Sequence, residues 1–206
     1  MKHALRVASL LAAGVLVAGS AFAGSQDGSV IALHSKTHAT KAITICTSSS
    51  PNAAGIACSD YATDNQPTFL SRDVYLVVAR ANPGDGIAGL SCGISFPGTI
   101  GMFGWTLCGD LDFPNGGWPG NGGGNRITWA ASTNCQTTVI GTDGVHAMAG
   151  AFYVYAYGNG ILGVTPNNGI AVPELRVADC NAAESSVNPV DVGSVGYGTD
   201  VGYNTC

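Results

Sequence analysis

The stretch DVYLVVARA, residues 73–81, decides the fold. Val74, Leu76 and Val78 fall on one side of a period-two pattern, and Tyr75, Val77 and Ala79 on the other. Both sides are apolar, which is the signature of a strand covered on both faces at the centre of a sheet. The strand ends at NPGDG (82–86), with Pro and Gly where a turn needs them. IAGLSCGISF (87–96) alternates Leu90, Cys92, Ile94 and Phe96 against smaller residues, so it reads as a half-buried strand. MFGWTLCGDLDF (102–113) reads as another, bulged near Gly109.

The pattern continues outward in both directions. FPNGGWPGNGGGN (113–125) is a loop, dense in Gly and Pro. RITWA (126–130) and CQTTVI (135–140) are expected strands, and GTDG (141–144) a tight turn. GVHAMAGAFYVYAYG (144–158) follows as a long strand, and AVPELRVADC (171–180) as the last core strand. Upstream, AITIC (42–46) is a short strand. No amphipathic helix interrupts the series. The expectation is an all-β chain forming a single disulfide-containing β-sandwich, jelly-roll or immunoglobulin-like, over residues 42–180. Residues 24–41 are expected to be a loose N-terminal arm. Residues 181–206 are expected to be a Gly/Tyr-containing tail in which DVG and GY recur.

Residues 1–23 read as a signal peptide. Lys2 and Arg6 precede an apolar run, and Ala21-Phe22-Ala23 supplies a small-residue cleavage site before Gly24. The run is too short for a membrane span. With Lys2 and Arg6 removed, the eight basic residues become six against thirteen acidic ones, a net charge of −7. Such a surface repels phosphate backbones, which argues against a nucleic-acid partner. The seven cysteines then meet an oxidising compartment, where disulfides are the default. Cys46 and Cys58, closing TSSSPNAAGIA, are the expected pair. Cys206 is the expected odd thiol, free or linking two chains by self-association.

Chemistry-bearing residues are few. His34 and His38 stand four apart, about 13 Å along a strand and too far to share one metal. Asp110 and Asp112 could aim two carboxylates at one face, as solvated groups, as part of a calcium site or as an acid/base pair. No nucleophile elbow accompanies His146, and no cofactor-binding motif is present, so no cofactor is expected. The aromatic residues remain. Tyr153, Tyr155 and Tyr157 would stand about 6.6 Å apart on one face of their strand. Phe152, Val154 and Ala156 then face the core. Trp118 sits mid-loop in GGWPG, whereas Trp105 and Trp129 lie in strand patterns and read as core. The three tyrosines with Trp118 are either a ligand platform or the half-wet outside of an ordinary sheet.

NPGDGIAGLSCGISF (82–96) and AGAFYVYA (149–156) are similar to segments of cohesin-type β-sandwich modules. That resemblance implies a nine-stranded jelly roll and a non-catalytic module of a secreted bacterial protein. ALHSKTHATK, GWTLCGDLDF, GGGNRITW and PELRVADCNAAES give the chain as a whole the look of uncharacterised cysteine-containing secreted proteins of environmental bacteria. The expected role is a secreted, non-catalytic binding module at or outside the cell envelope. It would recognise a polysaccharide or an envelope protein. A structural subunit of an extracellular layer or filament is the alternative, and a secreted hydrolase the second.

Overall fold

The computed structural model describes residues 24–38, 44–66 and 68–206. The expected signal peptide (1–23), and Ala42 and Ile43 of the expected first strand, lie outside them. Thr44–Cys46, the rest of that strand, form turns instead.

Two sheets face each other. The first has four strands: β1 (Val30–Thr37), β3 (Ser71–Ala81), β8 (Val145–Ala156) and β5 (Ile100–Leu107), in that order and all antiparallel. The second is built around β4 (Gly89–Ser95). One side of β4 carries β7 (Gly124–Thr128) and then β6 (Leu111–Asn115). The other side carries β10 (Arg176–Ala178) with β11 (Glu184–Ser186), and β9 (Gly160–Thr165) with β12 (Ser194–Tyr197) and β2 (Asp64–Asn65). Only the β12–β2 pair is parallel among these strands.

The main core lies between the sheets. Ile31, Leu33, Val74, Leu76, Val78, Phe152 and Val154 meet Leu90, Ile94, Ile127, Leu162, Val177 and Val195. Burying side chains of this size contributes roughly 1.5–3 kcal/mol each. The opposite side of DVYLVVARA has its own cover. Tyr75, Val77 and Ala79 join Val30, Ala32, Met148 and Ala151 in a second cluster, closed by Ile45, Cys58 and Tyr61 from the segment 44–62. The two apolar faces of β3 therefore have two separate causes, the partner sheet on one side and this strap on the other.

Both ends of the chain belong to the fold. The expected loose arm contains β1, an eight-residue strand paired along its whole length with β3. Gln26 fixes its approach: its side-chain amide donates to Gly86 O at 2.7 Å and accepts from Asn82 N at 2.9 Å. The small polar composition of 24–41 hid a strand whose inward side is only Ile31 and Leu33. The expected tail supplies β11 and β12, and Val195 and Tyr197 are buried. Its DVG step lies beside β1, where Ile31 N donates to Asp191 O and Gly193 N to Ile31 O.

The disulfide expectation is corrected. Cys46 pairs with Cys108, Cys58 with Cys206, and Cys135 with Cys180, at Cα separations of 5.3, 5.5 and 5.8 Å. These are ordinary disulfide separations. The two ends of the strap are stapled to different neighbours, Cys108 just past β5 and the last residue of the chain, rather than to each other. The unpaired thiol is Cys92, not Cys206. It faces the core from β4, and burial pushes its thiol up to about 12, far from reactive thiolate chemistry.

Candidate docking face

The alternation of β8 holds where it was read. Phe152, Val154 and Ala156 are buried, Tyr153 and Tyr155 are half-buried on the other side, and Tyr157, just past the strand, is 53% exposed. A bulge brings a fourth ring. Met102 pairs with Val154 and Gly104 with Tyr153, so Phe103 is the extra residue and is turned outward, 57% exposed. Gly101 makes room for it. A Cβ there would lie 2.7 Å from the Phe103 ring and 3.0 Å from that of Tyr157.

Phe103, Tyr153, Tyr155 and Tyr157 line one shallow depression of about 360 Å³. The Tyr155 and Tyr157 centroids are 4.9 Å apart with 55° between the ring planes. For Phe103 and Tyr153 the values are 6.0 Å and 54°. Phe69 and Leu70, both exposed, enter next to the same end of β8, with Phe69 N donating to Ala156 O.

A polar margin borders the rings. The His38 ring lies against Tyr153, 4.5 Å away and tilted by 45°, and its Nδ1 is held 2.7 Å from Asp73 Oδ1. The Ser71 and Tyr153 hydroxyls are hydrogen-bonded at 3.2 Å. Asp73 and Ser71 of β3 and His38, just past the end of β1, thus sit together. Nothing local in the sequence announces this group. Asp73 and His38 are 35 residues apart, and only the β1–β3 register unites them.

Trp118 is elsewhere. Its ring packs on Trp105 at 5.1 Å and on Phe152 at 5.2 Å, on the inner side of the sheet that carries the tyrosines outside. The loop around it is drawn onto β4, because Gly122 N donates to Ile94 O and Ile94 N to Gly123 O. The expected platform therefore loses Trp118 and gains Phe103.

The other candidates also separate. Asp110 accepts from Ala130 N at 2.7 Å and Asn134 Nδ2 at 2.8 Å, capping a turn. Asp112 accepts from Asn125 Nδ2 at 3.0 Å and Trp105 Nε1 at 3.3 Å. The two carboxylates serve different neighbours and do not converge. Among the described residues no group of three or more His, Cys, Asp or Glu is placed to hold a metal ion.

His34 and His146 lie under the strap. His34 Nδ1 accepts from Ala62 N at 3.0 Å, and burial, helped by the Lys36 charge, lowers its pKa to about 4. His146 is fully buried; its Nδ1 is 3.0 Å from the Tyr61 hydroxyl, and Nε2 has no partner. Burial lowers its pKa against the opposing pull of Asp143. A broader polar concavity of about 700 Å³ lies near the 141–144 turn, where Asp27, Arg80 and Asp143 offer mixed charge.

No family model matches the sequence, and no curated protein does. Among solved structures the chain is similar to a cohesin module from a Clostridium perfringens family 33 glycoside hydrolase. Identity is 9%, the match covers 82% of this chain and 96% of that one, and the TM-score is 0.45. It is also similar to the sixth cohesin of Acetivibrio cellulolyticus scaffoldin B, solved with a dockerin. There identity is 9%, coverage 84% and 99%, and the TM-score 0.47. At that distance no side chain and no partner transfers from either. The resemblance to cysteine-containing secreted proteins of environmental bacteria finds no counterpart in these comparisons.

Proposed function

We propose that this chain is a secreted protein-recognition module that docks its partner on the outer face of β3, β8 and β5. The observation that carries the proposal is the cluster of Phe103, Tyr153, Tyr155 and Tyr157, side by side on one sheet face, the first and last exposed and the middle two half-buried. Aromatic rings bring large contact area at low entropic cost, and tyrosine adds a hydroxyl for hydrogen bonding. The tilt of the rings favours a protein over a polysaccharide. Planes inclined by about 55° offer no common surface for successive sugar rings, but they do form clefts for apolar side chains. The fitting partner is a folded element with exposed aliphatic residues and donors for the tyrosine hydroxyls. Export is supported by Ala21-Phe22-Ala23 and by three disulfides, which persist in oxidising compartments.

The filament reading, which rests on low charge, high Gly content, the Gly/Tyr tail and an unpaired Cys206, loses the last two of these supports. Cys206 is engaged within its own chain, and the expected tail contributes Glu184–Ser186 and Ser194–Tyr197 to the second sheet.

The test is capture from the protein's native extracellular milieu by the immobilised wild type and by a Tyr153→Ala/Tyr155→Ala/Tyr157→Ala variant. A panel of insoluble polysaccharides runs in parallel. A protein held by the wild type and lost by the folded variant supports the proposal. Retention on a polysaccharide that the variant loses, or capture indifferent to the substitutions, overturns it.

A further inference from the structure

The strap covers the half of the outer face that continues the aromatic cluster. Along β8, Met148 and Ala151 lie beneath it, and Tyr153 and Tyr155 follow in the open. Along β3, Tyr75 and Val77 lie beneath it, and Asp73 and Ser71 follow. The cover is fastened by polar contacts to two buried imidazoles. His34 Nδ1 accepts the Ala62 N–H. His146 Nδ1 meets the Tyr61 hydroxyl, and the His146 carbonyl accepts from Asn52 Nδ2 at 3.1 Å.

We propose that residues 44–62 are an acid-released cover, which lifts when His34 and His146 take up protons and thereby extends the docking face. The regulatory meaning rests on the docking reading above; the release itself does not. The geometry gives each histidine a reason to expel the cover. A proton on His34 Nδ1 turns the acceptor of Ala62 N–H into a second donor at 3.0 Å. Protonated His146 carries an N–H on both ring nitrogens in a fully buried site: the one at Nε2 has no acceptor in reach among the described residues, and at Nδ1 the Tyr61 hydroxyl can then only accept.

The charged groups around them do not compensate. Lys36, two residues along β1, repels a charged His34. Asp73 on β3 is engaged by His38. Asp143, before β8, attracts a charged His146, but its carboxylate already accepts Cys58 N at 2.7 Å. The strap's own Asp60 is exposed. Both ends of the cover stay tethered by Cys46–Cys108 and Cys58–Cys206, so release is a local, reversible lift.

Hydrogen exchange on the oxidised chain alone, at about pH 7 and about pH 4.5 and corrected for intrinsic rates, tests this. Amides of 47–61 are expected to lose protection by at least roughly tenfold at the lower pH while those of β3 and β8 keep theirs. A His34→Asn/His146→Asn variant, which retains an acceptor near each Nδ1, is expected to abolish the difference. Equal loss in strap and sheet, or a response that survives in the variant, overturns the proposal. If the variant does not fold, imidazole titration in the wild type replaces it. Titration of either histidine must then coincide with strap opening, and opening without it overturns the proposal. Because no partner is present, the outcome is independent of whether the aromatic face docks one.

Discussion

At the scale of the residue, position in the pleat decides the role. Phe152 and Tyr153 are neighbours in sequence with opposite duties. Phe152→Ala removes a core ring and should cost about 3–5 kcal/mol. Tyr155→Ala, on the outer face, should cost less than about 1 kcal/mol while weakening partner binding. Urea midpoints for the two variants check the contrast. His34 gives a pH dependence of defined sign. Its folded pKa is about 4 against an ordinary 6.5, so the folded state prefers the neutral ring. That stability is fully present above about pH 6.5 and declines as pH falls towards about 4, where the folded ring also protonates. The total is about 3 kcal/mol. Denaturant midpoints measured across that window should fall with acid in the wild type and fall less in His34→Asn, where His146 still contributes. The tyrosine alternation was legible because it is local to one strand. The His38–Asp73 contact and the Phe103 ring were not, since one needs a register between strands and the other a bulge.

At the scale of the element, the strap shows what spacing cannot reveal. TSSSPNAAGIA between Cys46 and Cys58 looks like a loop closed on itself, yet each cysteine is bonded to a different neighbour. A pairing depends on where Cα atoms meet in space, and residues 62 and 148 positions apart leave no local trace. β3, by contrast, is legible from nine residues, because burial on both faces writes itself into every side chain. Cross-linking over so long a span stabilises chiefly by restricting the unfolded chain. Cys58→Ser/Cys206→Ser should therefore lower stability by about 2–5 kcal/mol and loosen the strap. The same variant should leave the oligomeric state unchanged, which size-exclusion chromatography under non-reducing conditions will show.

At the scale of the whole molecule, the sandwich was foreseeable and its limits were not. Short alternating strands separated by Gly/Pro turns give two packed sheets. β1 was missed because its outward side carries His34 and Lys36, and β12 because SVGY carries only two large residues. Both gain their burial from partners far along the chain. Val195 and Tyr197 lie in the main core, so a chain ending at residue 180 should fail to fold, with protease resistance and near-ultraviolet dichroism both lost. The whole chain carries thirteen acidic against eight basic residues, a balance that disfavours phosphate backbones, and the aromatic face stands out against it as a patch of uncharged rings.

Hydroxyl-radical footprinting with and without the captured partner reads that face directly. Phe103, Tyr153, Tyr155 and Tyr157 are expected to be shielded together in the complex while exposed Tyr203 on the opposite sheet stays reactive. Unchanged labelling of the four rings in a saturated complex would contradict it.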